Sequence, residues 1–422
     1  MLQAVEETSA EALLQAEEAM HNWQNKWDEF NHHAAEPRQQ AEVQQSRIQH
    51  VEQVLQRIQG RTRQLEEAPS VVNFSPSGEK MLIWCIKTKS WKSKLVNSSE
   101  IIDLTSKLNV DFHNELHDTP SEPGPYSYAP NWIEGEKYVL IRDRYDIWKI
   151  DVSGKEEALN LTNGNGRKNK TRFSYTTLEG GMGGFRGFGS SSSDKIYIGE
   201  KETIYLTAFN EATKDAGLAT VKVNRPADPV ILTMVPKSFQ SLSKAKDANK
   251  LIFTMGDFEN YPELHIADMK LSGIKKISNT NPQQKDYNWG TNELVEWRSF
   301  DGQSLQGILY KPENFDPAKK YPMIVYFYER NSDGLHRHYT PGTVGSTINR
   351  AYVASNEYLI FVPDIPYVEG YPGQSAYNAV VSGTYAMMDK YDFIDGDRIG
   401  LDGHSWGGYQ IAYIITQTDM YA

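Results

Sequence analysis

The hydrophobic period changes twice along this chain, and each change excludes a single uniform architecture. Leu13, Ala16, Met20, Trp23, Trp27, Phe30 and Ala34 follow one another at alternating steps of three and four. The alternation continues through Pro37, Ala41, Gln44, Ile48, Val51, Leu55, Ile58, Thr62 and Leu65. That is an a/d seam, which predicts a coiled coil, kinked or divided into two helices at Pro37. An amphipathic helix packed on a globular domain is the competing reading, but it needs a broader stripe. After Ala68-Pro69-Ser70 the apolar runs shorten to strand length, separated by Gly, Pro, Asn and Asp as far as Asn288. From Glu293 they become continuously apolar. Three regions follow, 1–67, 68–290 and 291–422.

The length of 422 residues agrees, since it exceeds what one ordinary core serves. No apolar run approaches the roughly 18 to 20 residues that span a bilayer, so no membrane partner is expected. A net charge of -11 argues against a nucleic-acid footprint. Cys85 is the single cysteine, which leaves no internal disulfide and no thiolate metal site. No secretory leader is legible at Met1, and the residues do not indicate a compartment. Neither a metal nor an organic cofactor is called for.

Three stretches of the middle region share one layout. Met81–Trp84, Tyr138–Ile141 and Leu251–Thr254 each follow a polar turn carrying a lysine. The second and third lead into strands ending near an aspartate or alanine, Asp146–Asp151 and Glu263–Ala267, with Leu161-Thr162 or Ile277-Ser278 closing the unit. Repeats of this kind predict blades of a partial β-propeller, with room for about four or five at the usual ~40 to 50 residues each. The glycine-rich run 180–190 lacks the G-K-[ST] ending of a phosphate cradle and reads as a loop.

In the last region, Leu294–Phe300 and Leu305–Tyr310 flank Asp301-Gly302 as a hairpin. Met323–Tyr328 and Tyr358–Pro363 are apolar throughout, as strands covered on both faces of a parallel sheet are. Residues 376–390, with Ala379, Val380, Val381, Tyr385, Ala386 and Met387 on the apolar side, predict the crossover helix. A strand read as buried, Arg398–Asp402, then enters Gly403-His404-Ser405-Trp406-Gly407, and Tyr409–Ile415 continues as a helix. Strand, G-x-S-x-G and helix in that order predict a nucleophile elbow. The alternative is a serine that merely caps the helix. In an elbow Ser405 attacks a carbonyl, a histidine takes its proton, a carboxylate orients that histidine, and the Trp406 amide is the natural first oxyanion donor.

Five blocks in order then carry a resemblance: Ser299-Phe300-Asp301-Gly302, Tyr321–Tyr328, Val362-Pro363-Asp364, Gly370-Tyr371-Pro372-Gly373 and Asp397–Tyr409. Residues 68–422 resemble the prolyl oligopeptidase family of serine peptidases, in its dipeptidyl-peptidase-like branch. The resemblance implies a propeller ahead of an α/β-hydrolase domain, a peptide substrate, Ser405 as nucleophile and Tyr328 as the second oxyanion donor. Where the family has a Gly-Gly-Pro-like turn after that tyrosine, this chain has Glu329-Arg330-Asn331. The wording of residues 34–42 resembles the coiled-coil arm of a bacterial SMC chromosome-partitioning protein.

In this fold the triad runs Ser, Asp, His along the chain, yet the seventeen residues after Ser405 hold no histidine and the single acid Asp419, placed on the elbow helix. His404, His336 and His338 read as structural or solvated. The glutamate pairs Glu66-Glu67 and Glu156-Glu157 read as surface charge rather than as the amine-binding pair of aminodipeptidases. The sequence therefore predicts a mixed fold: an N-terminal α-helical coiled coil, a partial β-propeller and an incomplete α/β-hydrolase domain. Its function would be that of a serine peptidase, inactive in this form for want of a base. A homo-oligomer through the coil is the expected partner. The alternative is an oligomerising or SMC-like structural protein carrying an inert peptidase fragment, and a join of two unrelated genes near Ala68 is a third reading.

Overall fold

The computed structural model describes residues 11–30, 44, 45, 48, 49, 53, 71–178, 197–342 and 348–421. It separates into two compact units, Met1–Ala68 and Pro69–Ala422. In the first, residues 11–30 form a helix, α1, exposed along its whole length. Leu13, Met20, Trp23, Trp27 and Phe30 are each at least half exposed. Trp23 and Trp27 stack with ring centroids 5.6 Å apart, as aromatic side chains one turn apart can. The helix is thus observed, whereas a coiled-coil pairing is not among the described residues. Pro37 and the surrounding 31–43, Val51, Leu55, residues 58–65 and Glu66-Glu67 lie outside them, as does the glycine run 180–190.

The second unit is dominated by sheet. Its first four sheets are each four-stranded and antiparallel, with strands in chain order. They are β1 (Val71–Phe74), β2 (Lys80–Cys85), β3 (Ser90–Leu95) and β4 (Ile102–Asp103); β5 (Asn131–Trp132), β6 (Tyr138–Arg142), β7 (Ile147–Asp151) and β8 (Leu159–Asn160). A short helix, α2 (Asn165–Asn169), leads to β9 (Thr171–Thr176), β10 (Thr203–Asn210), β11 (Ala216–Lys222) and β12 (Val230–Val235), and then to β13 (Ser238–Lys244), β14 (Lys250–Gly256), β15 (Glu263–Asp268) and β16 (Lys275–Lys276).

Period-two burial gives each sheet two useful faces. Val139 and Ile141 of β6 join Leu82, Trp84 and Trp91 of the first sheet, while Leu140 faces Phe173, Leu206 and Val221 of the third. Leu218 of β11 in turn meets Leu251 and Phe253 of the fourth. Each sheet therefore packs on the next. The third sheet was not legible as a repeat: the Glu200-Lys201 turn does introduce β10, but residues 177–202 separate it from β9, far more than the short link between the first two strands of the other sheets.

The last sheet is mixed, ordered β17-β18-β20-β19-β21. The Asp301-Gly302 turn joins β17 (Thr291–Arg298) to β18 (Ser304–Lys311), and Gly302 supplies the left-handed φ of 83°. β19 (Tyr321–Tyr326) is parallel both to β20 (Leu359–Pro363) and to β21 (Ile394–Asp402). A short helix, α3 (Arg350–Ser355), precedes β20, and the long helix α4 (Pro372–Lys390) precedes β21. Leu359 and Phe361 pack under α4 against Ala376, Ala379 and Val380. Their neighbours Ile360 and Val362 face Ala351 and Ala354 of α3. Both faces are dry, as continuous apolarity requires.

Two local expectations need correction. Tyr385 is 52 % exposed and not on the apolar side, because Ala376, Ala379, Val380 and Met387 set the inward face and Tyr385 lies off that stripe. β21 is also not a buried strand, since only Ile394 and Ile399 are buried. It pairs with β19 alone among the described strands, so its outer side is open.

Candidate active site

β21 hands the chain to α5 (Trp406–Ile414) through a turn whose apex is Ser405, with φ 52° and ψ −108°. A non-glycine residue held there is strained by about 1 to 3 kcal/mol and persists only if its surroundings fix it. Those surroundings are close. A Cβ on Gly403 would lie 2.9 Å from the carbonyl carbon of Gly407, and one on Gly407 would lie 2.7 Å from the Phe327 carbonyl oxygen. The turn is thereby seated on the end of β19. Ser405 makes no side-chain cap bond to the helix, which removes the plain N-cap reading. The Trp406 N–H, first in the helix, has no recorded backbone acceptor among the described residues.

Tyr328 follows β19 directly and is 37 % exposed. Its backbone carbonyl accepts from the Tyr367 hydroxyl and, at 3.1 Å, from Gln410 Nε2 of α5. Gln410 Nε2 also donates to the Tyr367 oxygen, and Gln410 is fully buried. Burial pushes the Tyr367 phenol up, against hydrogen bonds with Trp406 and Gln410 that pull it down. The ring remains protonated and able to donate. Tyr367 meets Trp406 edge-on at 5.9 Å, and Trp406 stacks on Tyr409 at 5.0 Å.

Ser405, Trp406 and Tyr328 line one cleft of about 690 Å³ with Tyr367, Val368 and Pro372. Asp118, Thr119 and Pro120 close it from the segment between the first two sheets. The structure thus brings together all three expected site residues. It adds Tyr367, Gln410 and Asp118. Tyr367 lies beside the Gly370–Gly373 block and Gln410 five residues beyond the serine, so both had local signals. Asp118 had none, since its bond to the Tyr367 N–H spans 249 residues.

The histidines do not complete a triad. No hydrogen bond joins a histidine to Ser405 among the described residues. His404 is exposed beside it. His338 stacks on Trp289 at 4.9 Å and bonds the Phe258 carbonyl. His336 lies 3.8 Å from Asp215, and burial lowers its affinity for a proton. Asp419 lies beyond the end of α5, not on it, and is exposed. Glu156 is a surface group bonded to Lys137 and to the Tyr138 hydroxyl. Among the described residues there is no helix long and apolar enough to cross a membrane and no cluster of three or more metal-binding side chains.

No family model matches the chain. Dipeptidyl peptidase 8 of Homo sapiens is 29 % identical over 141 residues, which is 31 % of this chain and 16 % of the relative. Dipeptidyl-peptidase 5 of Porphyromonas gingivalis is 27 % identical over 233 residues, 52 % of this chain and 32 % of the relative. The chain therefore spans a third or less of those relatives. A putative dipeptidyl aminopeptidase IV from Bacteroides ovatus superposes with a TM-score of 0.56 at 16 % identity, over 83 % of this chain and 50 % of that one. That likeness speaks to fold: a β-rich body with few helices, shared with peptidases. The relatives matched are dipeptidyl peptidases, so over those stretches the sequence is similar to peptidases. The SMC resemblance of residues 34–42 finds no support in the comparisons.

Proposed function

We propose that residues 68–290 are propeller blades and residues 291–422 the N-terminal half of an α/β-hydrolase domain, together serving peptide hydrolysis through Ser405. The observation that carries this reading is the strained Ser405 turn, open to a cleft that it shares with Tyr328 and the Trp406 N–H. In the reaction Ser405 Oγ bonds to the scissile carbonyl carbon while its proton passes to a base. The carbonyl oxygen becomes an oxyanion held by the Tyr328 hydroxyl and the Trp406 N–H. Collapse expels the amine and leaves an acyl group on Ser405, which water removes. The peptidases among the relatives make a peptide the natural substrate.

Among the described residues no imidazole is set against Ser405, so we infer negligible turnover for this chain by itself. The test is release of chromophore from a panel of short peptide anilides, with Ser405→Ala as control. Equal, background rates are expected, and a rate above the control in protein of verified mass would overturn the inference.

A second reading is favoured by α1, whose apolar stripe is exposed: chains pair through residues 1–67. Light scattering after size exclusion should then give a mass above the 48.0 kDa monomer. A monomer unchanged by removing residues 1–67 removes this reading.

A further inference from the structure

The loop between Tyr328 and Leu335 carries charged and polar residues, and the side chains of Arg330, Ser332 and Asp333 are each engaged. Asp364, just after β20, accepts from the backbone N–H groups of Asn331 (2.5 Å) and Ser332 (2.7 Å) and from the Ser332 hydroxyl. Those bonds hold the loop to its own sheet. Two others leave it. Arg330 Nη1 lies 2.8 Å from Asp118 Oδ2 and donates to the Leu116 carbonyl at 3.1 Å. Asp333 is bonded by Arg172 Nη2 of β9 at 2.7 Å and by Lys214 Nζ at 3.0 Å.

We propose that Asp118 is a positioning residue for the Ser405 cleft, clasping the Tyr328 loop through Arg330, with Asp333 as the second anchor of the same loop. The inference rests on the reading of Ser405 and Tyr328 given above. Asp118 Oδ2 also accepts the Tyr367 N–H at 3.2 Å, and the Tyr367 hydroxyl donates to the Tyr328 carbonyl. One carboxylate oxygen therefore fixes both walls that flank the serine. Fully exposed ion pairs contribute little, but in each of these one partner is sheltered. The Asp118 side chain is 19 % exposed against 35 % for Arg330, and that of Lys214 is 4 % exposed against 51 % for Asp333. Arg330, Ser332 and Asp333 face a second cleft of about 700 Å³, on which Arg144 and Lys214 also open. The loop is thus the partition between that cleft and the serine cleft. The antiparallel sheets and the segment between the first two, which hold no expected catalytic group, thereby tie down the backbone from which the Tyr328 side chain projects.

The test places 3-fluorotyrosine at position 328 of the full chain, with a second label at Tyr391 as a remote reporter, and follows both by ¹⁹F NMR. Asp118→Asn keeps an acceptor for the Tyr367 N–H and removes the charge; Arg330→Met removes the other partner, and Arg330→Lys retains it. The first two should shift or split the Tyr328 signal, Arg330→Lys should return a single line, and Tyr391 should not move. Imidazole-assisted acylation of Ser405 should slow by about tenfold or more in Asp118→Asn, the scale on which misplacement of a reacting group acts. An unmoved Tyr328 signal in both variants, or equal movement at Tyr391, overturns the clasp. Should either variant fail to fold, Asp333→Asn, which cuts the second anchor of the same loop, must show the Tyr328 shift or the proposal falls. A Tyr328 shift without any acylation of Ser405 would instead sink the reading of the site and leave the clasp standing.

Discussion

The four antiparallel sheets and the final mixed sheet hold their shape by different means. The mixed sheet is dry on both faces at its centre, with Leu359, Ile360, Phe361 and Val362 of β20 all fully buried in consecutive positions. The antiparallel sheets add polar contacts between neighbours. Glu136, after β5, accepts from the Ser77 N–H at 2.8 Å, the Ser77 hydroxyl at 2.6 Å and the Tyr197 hydroxyl at 2.7 Å. Arg144 forks onto Glu211 at 3.1 and 2.8 Å. The difference teaches a division of labour. The mixed sheet carries Ser405, Trp406 and Tyr328 on an apolar core, and the charged sheets set the walls around them.

Substitutions can break that contrast in order of size. Phe361→Ala empties a fully buried site packed edge-on to Trp297 at 5.3 Å, and should cost about 3 to 5 kcal/mol in urea unfolding. Gly407→Ala should cost about 2 to 3 kcal/mol, because the new methyl meets the Phe327 backbone oxygen, which cannot yield as a side chain could.

Glu136→Gln probes the other side of the comparison and should cost about 2 kcal/mol near pH 6. Burial alone would raise this carboxyl, but the bonds from Ser77 and Tyr197 outweigh it and hold the group at about 2 instead of 4.5. The stability it contributes is complete above pH 4.5 and is lost as pH falls toward 2. The gap between wild type and variant should therefore close in acid. Phe361→Ala should show no such pH dependence. Smallest is Ser405→Gly, which relieves the left-handed strain and should stabilise by about 1 kcal/mol in thermal unfolding.

Much of this was readable in advance where cause is local. The hairpin at Asp301-Gly302, the doubly buried β20 and the strand–turn–helix at Ser405 all follow from neighbouring residues. The third antiparallel sheet was not, because a long connection, residues 177–202, parts β9 from β10. Nor was Asp118, whose role comes from a contact between distant segments that leaves no periodicity. The half-open β21 and the exposed Tyr385 show the same limit: apolar composition reports what could be buried, while sheet order and helix phase decide what is.

The central proposal is that Ser405 is a nucleophile with the Tyr328 hydroxyl and the Trp406 N–H as its oxyanion donors, and that none of the described histidines serves it as base. It is tested most directly by incubating the chain with a p-nitrophenyl acyl ester, with and without imidazole, and reading the adduct by intact mass and peptide mapping. The account predicts one acyl group on Ser405 when imidazole is present, little without it, and none at that peptide in Ser405→Ala. Acylation spread over surface lysines and tyrosines, unchanged by Ser405→Ala, would contradict it.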